Sequence, residues 1–219
     1  MIRSLIGFGD SAVSSETSGC WISLAGPLFF NGGSALGANG IAVNAILTTN
    51  TAAASAGLVW MLLSWLDNKP SVLGIITGAV VGLVAITPAA GYVTPLSAIA
   101  IGAIAAPISY YAIKFRQSRN LDVSLDVWAC HGIGGTWGAL ATGLFASQAV
   151  NSAGANGLFY GNPGQFFVQL IAVVAAIGFA FGMTFIVSKL LSRIIGLRVS
   201  ENEEEVGLDI SEHGEQAYA

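Results

Sequence analysis

Charged residues are scarce in this sequence: Asp, Glu, Lys and Arg make up 9% of its 219 residues, whereas about 25% is usual in soluble domains. Three long stretches, 17–66, 70–113 and 127–188, contain none of them. Because about 20 apolar residues span the hydrocarbon core of a bilayer, each stretch has room for two or more helices. The sequence therefore excludes an ordinary soluble enzyme and predicts an all-α protein that crosses a membrane several times.

Motifs of catalysis and metal binding are also missing. The two cysteines, Cys20 and Cys130, have no metal-ligand spacing and are too few for a disulfide framework. The sequence contains no Walker A loop, GxGxxG fingerprint or HExxH motif, and no plausible pair of nucleophile and base. We predict that the chain is not an enzyme and needs no cofactor or metal. Its net charge of −4 gives no reason to expect a nucleic-acid partner.

Charged residues, proline and glycine divide the chain into about six candidate transmembrane spans. They lie at 20–35, 45–66, 71–89, 95–113, 126–146 and 164–190. Lys and Arg follow the second, fourth and sixth spans, so the positive-inside rule assigns that side to the cytoplasm. The chain thus divides into a polar segment at 1–19, a helical bundle at 20–193 and an acidic cytoplasmic tail at 194–219. Because the tail has little apolar surface, we expect it to become ordered only against a partner.

Glycines recur at a regular interval in the third span. Gly74, Gly78 and Gly82 are four residues apart, which places them on one face of a helix. Small residues let helix backbones approach closely, and this contact is a main source of attraction between helices in lipid. We predict that these three glycines pack against a neighbouring helix.

His131 is an ionisable residue inside the predicted fifth span, five residues after Asp126. Ionisable groups inside a membrane are costly, and they usually face the bundle interior or a pathway. Its neighbours at helical spacing are Gly134, Gly135, Gly138 and Thr142. This small, slightly polar face predicts that the ring points into the bundle. Two interpretations remain open: a group on a substrate pathway, and a core histidine bonded to a backbone carbonyl.

Two other polar residues lie near the ends of predicted spans. Asp126, at the start of the fifth span, is placed to cap that helix or to favour its first turn. Ser34 follows Phe29 and Phe30. A hydroxyl beside aromatic faces attracts a small cation, but aromatic residues at span ends also serve as anchors at the membrane interface.

Four segments closely resemble the ammonium transporter (Amt) family, which is related to the Rhesus proteins. They are FFNGGSALGANGIAVNAILTTNTAAASAG from Phe29, PSVLGIITGAVVGLVAITPAAGYV from Pro70, DVWACHGIGGTWGALATGLFA from Asp126 and GLRVSENEEEVGLDISEHGEQAYA from Gly196. The resemblance implies a multi-pass protein of the plasma membrane with eleven spans in two inverted repeats. It also implies a trimer with one pore in each subunit. From about residue 28 onward, this chain resembles the second repeat only.

The resemblance assigns roles to five residues. Phe30 matches the second of two stacked phenylalanines that close the outer mouth of the pore. Ser34 matches the hydroxyl of the outer ammonium-binding vestibule, and Thr87 matches a threonine near it. His131 matches the second of two pore histidines, and Asp126 matches an acidic residue with a structural place near that histidine.

In the family the first repeat supplies the vestibule tryptophan, the first gate phenylalanine, a structural aspartate and the first pore histidine. We find no counterpart of these residues here, so we expect ammonium or ammonia transport by this chain as the C-terminal half of a transporter. A separate first-repeat half is then a partner. The alternative is a non-conducting interaction or sensory remnant of a transporter. The resemblance further implies nitrogen uptake, methylammonium as a substrate analogue, contact with membrane lipid, a homotrimer, and a PII-type (GlnK-like) regulator at the tail.

Overall fold

A computed structural model describes residues 26, 29–67, 69–119, 121 and 126–215. Regular structure in this part of the chain is helical, without a β-strand. The elements are α1 (Gly40–Asp67), α2 (Val72–Ile86), α3 (Pro95–Ser118), a π-helix (Trp128–Ile133), α4 (Gly134–Phe145), a 3₁₀ turn (Leu158–Tyr160), α5 (Pro163–Ile194), α6 (Glu201–Val206) and α7 (Leu208–Ser211). Residues 29–33 form a further helical segment. There are two compact units, one ending at Val173 and the other beginning at Val174.

Three of the described helices, α1, α3 and α5, are long and apolar enough to cross a membrane. With 15 residues, α2 is shorter than the usual span of about 20. The fifth predicted span is divided, since the π-helix leads directly into α4. The first predicted span, 20–35, lies outside the described residues except for 26 and 29–35. The predicted all-helical membrane fold is confirmed.

Small side chains form the surface where α1 meets α2. A Cβ atom built on Gly78 would lie 2.4 Å from the Cβ of Trp60. One built on Gly82 would lie 2.5 Å from the carbonyl oxygen of Ala52. Real Cβ atoms do not approach other atoms this closely, so a side chain at either position would force the helices apart. A Cβ built on Gly74 would have more room, because its nearest neighbour would be the Ser71 hydroxyl oxygen at 3.0 Å.

Hydroxyl caps set the starts of α2 and α3. Ser71 Oγ accepts a hydrogen bond from the Gly74 N–H at 3.0 Å. At the start of α3, Thr94 Oγ1 accepts from the Ser97 N–H at 3.3 Å. Pro95 occupies the first turn of α3, where its missing N–H costs no helical hydrogen bond. Both helices therefore begin at a residue that satisfies a backbone donor with no partner inside the helix.

A polar cluster joins the C-terminal ends of α1 and α3. The carboxylate of Asp67 accepts hydrogen bonds from the Tyr110 hydroxyl at 2.5 Å and from the Lys114 ammonium group. The Tyr110 ring packs edge-on against Trp60, with 5.1 Å between the ring centroids. Lys114 thus has a partner on the neighbouring helix. It lies inside α3, which continues past the predicted end at residue 113 to Ser118.

The tail contains two short helices, α6 and α7, and the role of a partner in ordering it stays a prediction. α6 begins with a capping box, in which Ser200 Oγ accepts from the Glu203 N–H at 3.4 Å and the Glu203 carboxylate accepts from the Ser200 N–H at 2.7 Å. Arg198 donates two hydrogen bonds to the Glu204 carboxylate, at 2.6 and 2.8 Å. Donors favour the ionised form of a carboxyl group. The Ser200 hydroxyl therefore holds the pKa of Glu203 below its usual value, and Arg198 does the same for the pKa of Glu204.

Candidate functional site

A cavity of about 470 Å³ opens between the helical segment 29–33, the start of α1 and the turn that follows α2. Phe30, Ser34 and Thr87 all line this cavity, although Thr87 is more than fifty positions from the other two in the sequence. These are the three residues that the resemblance assigns to the outer mouth of a pore. The volume falls in the range of small-molecule sites, about 300–1,000 Å³.

The hydroxyl groups of Ser34 and Thr87 already use their hydrogens. Ser34 Oγ donates to the Phe30 carbonyl at 2.8 Å, and Thr87 Oγ1 donates to the Leu83 carbonyl at 2.7 Å. A hydroxyl that donates its hydrogen keeps its lone pairs available to accept. The two oxygens therefore suit a ligand that donates hydrogen bonds. The Phe30 side chain, 67% exposed, adds an aromatic face that attracts cations.

Asn44 and Thr48 of α1 hold the turn that forms one wall of the cavity. Asn44 Nδ2 donates to the carbonyls of Ala90 and Val93, at 3.1 Å each. Thr48 Oγ1 donates to the Ala90 carbonyl at 2.9 Å. Sequence reasoning missed both residues. The available signal was a pair of polar side chains four residues apart on an apolar helix, where they share one face.

Three further polar residues, Asn31, Tyr92 and Asn151, line the cavity and were not predicted from the sequence. Asn31 Nδ2 donates to Thr49 Oγ1 at 2.9 Å, which joins the helical segment 29–33 to α1. The Tyr92 carbonyl accepts from the Ser147 N–H at 2.8 Å, which brings the loop that contains Asn151 to the cavity. No local motif marks Asn31 or Tyr92, because the partners Thr49 and Ser147 are distant in the sequence.

His131 does not line this cavity, and its side chain is exposed on the surface of the chain. We expected its ring to point into the bundle; within this chain the ring lies on the exposed side of its helix, whereas Gly134 and Gly138 are buried. Gly138 faces α2, where an added Cβ would lie 2.2 Å from the Ala85 carbonyl oxygen, and Gly134 is also buried. The cause is the π-helix, which has more residues per turn than an α-helix. Between His131 and Gly134 this difference turns the ring away from the buried face by on the order of 50°.

Asp126 contacts the first turn of the π-helix through its backbone carbonyl, whereas we expected its carboxylate to cap the helix. Its carbonyl accepts from the N–H groups of Ala129 and Cys130, at 3.1 and 3.0 Å. Its φ of 51° lies in the left-handed region, which Asp tolerates better than most residues. The carboxylate instead forms an ion pair with Arg116 of α3, with 2.8 Å between Oδ1 and Nε. Both side chains are largely enclosed, at 13% exposed for Arg116 and 27% for Asp126.

Known proteins share long stretches of this sequence. The sequence profile of the Ammonium Transporter Family matches residues 9–218. The ammonium transporter Amt1 of Archaeoglobus fulgidus is 52% identical over 189 residues, which cover 86% of this chain and 48% of that protein. An ammonium transporter of Bacillus subtilis is 48% identical over 191 residues, which cover 86% of this chain and 47% of that protein.

Solved structures have the same fold. The crystal structure of Mep2 from Candida albicans superposes with a TM-score of 0.82 and 36% identity, over 88% of this chain and 44% of that chain. Mep2 from Saccharomyces cerevisiae gives a TM-score of 0.85 and 34% identity, over 95% of this chain and 49% of that chain. The chain therefore spans about half the length of the relatives it matches. The family profile across nearly the whole sequence and the close agreement in fold show that this chain belongs to the ammonium transporter family.

Proposed function

We propose that this chain takes part in the transport of ammonium or ammonia across the plasma membrane, as the C-terminal half of a transporter. The observation that carries the proposal is the cavity lined by Phe30, Ser34 and Thr87. Ammonium has N–H donors on every side and one positive charge. Hydroxyl oxygens that are free to accept match the donors, and an aromatic face matches the charge. The relatives named as ammonium transporters support the same substrate.

In the proposed mechanism ammonium is recruited at Ser34 and the Phe30 ring and loses its hydration there. Carrying a bare cation through hydrocarbon costs on the order of 10 kcal/mol. Near the gate an N–H bond of ammonium breaks and its proton passes to solvent water, which removes most of this cost, and neutral ammonia continues past His131. An imidazole exchanges protons near neutral pH, so it suits the handling of protons and hydrogen bonds along the path.

The exposed position of His131 supports a partner for this chain. A polar surface facing lipid is costly, so half of a pore needs to be covered. We assign this role to a first-repeat half that carries the other pore histidine, and three such assemblies form the trimer. The tail, with α6 and α7, lies in the cytoplasm and is the docking element for a PII-type regulator.

Uptake of labelled methylammonium tests the role of the cavity, in membranes that contain this chain and a first-repeat half. Thr87→Val removes an acceptor oxygen, which at about 1.4 kcal/mol corresponds to a roughly tenfold fall in uptake at low substrate concentration. Thr77→Val is the matched control, in the helix that Thr87 follows. Thr77 makes the same kind of bond, to the Leu73 carbonyl at 2.9 Å, but does not line the cavity. Equal effects of the two variants would refute the role of the cavity.

A second pair of variants separates the pathway from helix packing. His131→Ala should reduce methylammonium uptake and leave trimer assembly intact, because its exposed ring is not part of the core. Gly78→Leu should disrupt assembly, since any side chain there meets Trp60. Native mass spectrometry of the detergent-extracted protein reports the assembly. If both variants impair assembly to the same extent, the division into pathway and packing residues is wrong.

The second candidate function is that of a non-conducting sensory or interaction protein. It is supported by the likeness to a solved structure described as a Sensor Amt Protein, with a TM-score of 0.80 and 31% identity over 90% of this chain. Uptake measured with this chain alone, and again with a first-repeat half, separates the two functions. Uptake that needs both halves supports transport with a partner. If no uptake is seen with this chain alone or with both halves, the sensory function is supported.

A further inference from the structure

Two side chains of α3 hold the π-helix that carries His131. Ser109 is fully buried, and its Oγ donates to the carbonyl of Ala129 inside the π-helix at 2.9 Å. Arg116 pairs with Asp126, which lies two residues before the π-helix. Because Ser109 and Arg116 are seven residues apart, they lie on the same face of α3. One face of α3 therefore contacts both Asp126, two residues before the π-helix, and the Ala129 carbonyl inside it.

The π-helix needs such support, because an α-helical register is ordinarily preferred. In the π-register the Ala129 carbonyl accepts from the Gly134 N–H, five residues further along the chain. The Ser109 hydroxyl gives this same carbonyl a second donor. Arg116 pairs with the carboxylate of Asp126, whose backbone carbonyl accepts from the N–H groups of Ala129 and Cys130 in the first turn of the π-helix.

We propose that Ser109 and Arg116 are positioning residues for His131. They hold the π-register and thereby keep the imidazole on the exposed face of the helix, turned away from α2. In an α-helical register, His131 would share the face of Gly134 and Gly138, which is buried against α2. The orientation of the ring follows from the geometry alone, whereas its consequence for transport rests on the proposed function. Neither Ser109 nor Arg116 lines the cavity, so loss of a cavity contact cannot produce the effect.

Chemical modification of the full chain in detergent tests this proposal without any transport assay. The sequence contains two histidines, so His213→Asn leaves His131 as the single histidine. In that background, the rate at which diethyl pyrocarbonate modifies His131, read by mass spectrometry, reports the exposure of the ring. Ser109→Ala and Arg116→Gln should each slow the modification several-fold.

Two matched controls lie on the same helix. Ser97→Ala removes another buried hydroxyl, one that contacts the cap residue Thr94. Arg119→Gln removes a cation that lies over the Phe115 ring, 5.3 Å from its centroid. Both controls should leave the modification rate unchanged. Arg116→Lys keeps a positive charge opposite Asp126 and should restore most of the rate, which a general loss of packing would not allow.

Circular dichroism and thermal unfolding identify any variant that fails to fold. An unchanged rate in folded Ser109→Ala and Arg116→Gln overturns the proposal, and so does equal slowing in the two controls. If modification slows as expected but His131→Ala leaves methylammonium uptake unaffected, the positioning role stands and the proposed transport function fails. The two inferences can therefore fail separately.

Discussion

Gly102 of α3 lies directly against the backbone of Ala52 in α1: a Cβ built on the glycine would sit 2.2 Å from the Ala52 carbonyl oxygen. Gly82 of α2 approaches the same carbonyl oxygen, with a corresponding distance of 2.5 Å. One peptide group of α1 is therefore the contact point for two neighbouring helices. Because Ala52 is completely buried, a side chain added at either glycine would meet a peptide group that is enclosed by its neighbours.

Gly102→Ala should destabilise the folded chain by on the order of 3 kcal/mol, because the new methyl group overlaps the Ala52 carbonyl. Gly135→Ala is the control. Its Cβ would lie 3.7 Å from Val84 Cγ1, an ordinary contact, and alanine is favoured over glycine in a helix by about 1 kcal/mol. Thermal unfolding of the two variants in the same detergent measures the difference. A Gly102→Ala protein as stable as the parent would contradict the contact.

Asn44→Ala should loosen the turn that forms one wall of the cavity. The change removes the donor shared by the carbonyls of Ala90 and Val93, which corresponds to about 1–3 kcal/mol. Hydrogen–deuterium exchange of residues 87–94 should become faster. Asn50→Ala, on the same helix but exposed, should leave this exchange unchanged. Equal exchange in the two variants would show that the Asn44 amide does not hold the turn.

Acidification should unwind α6. Because the folded tail lowers the pKa of Glu203 and Glu204, the stability they provide is complete above the usual glutamate pKa. It is lost as the pH falls through the lowered values. Ser200→Ala removes the hydroxyl that lowers the pKa of Glu203, so unwinding should begin at a higher pH.

Backbone chemical shifts of residues 201–206 in the isotope-labelled full chain, recorded across the acidic range, follow this transition. Ser211→Ala is the control, because the Ser211 hydroxyl contacts the Gly207 carbonyl instead of either carboxylate. Helical shifts that do not change with pH would show that the two carboxylates do not stabilise α6.

The positions of the main helices could be predicted from the distribution of charge. α1, α2, α3 and α5 each coincide with a predicted span, because the charged residues lie near the helix ends or in the loops. The ends were less accurate for a physical reason. α1 begins at Gly40, five residues before the predicted start at 45, since the Asn39 side chain accepts from the Ala42 N–H at 3.0 Å and caps the helix.

The orientation of His131 could not be predicted from local sequence. A helical repeat of 3.6 residues places His131 on the same face as Gly134 and Gly138, whereas the π-helix rotates its side chain away from that face. The π-helix depends on Ser109 and Arg116, which belong to a different helix. Their contacts with the π-helix form only when the chain folds. The cavity was more accessible to prediction, because Phe30 and Ser34 are close together in the sequence.

The hydrogen bonds from Asn44 to the Ala90 and Val93 carbonyls have a mechanical consequence. They fasten the turn at residues 87–93 to a helix that is itself locked against two others at Ala52. A displacement of the turn must either break these bonds or carry α1 with it. The wall of the cavity formed by this turn is therefore rigid and does not open by a hinge motion. The width of the cavity on this side is set by the position of α1 in the bundle.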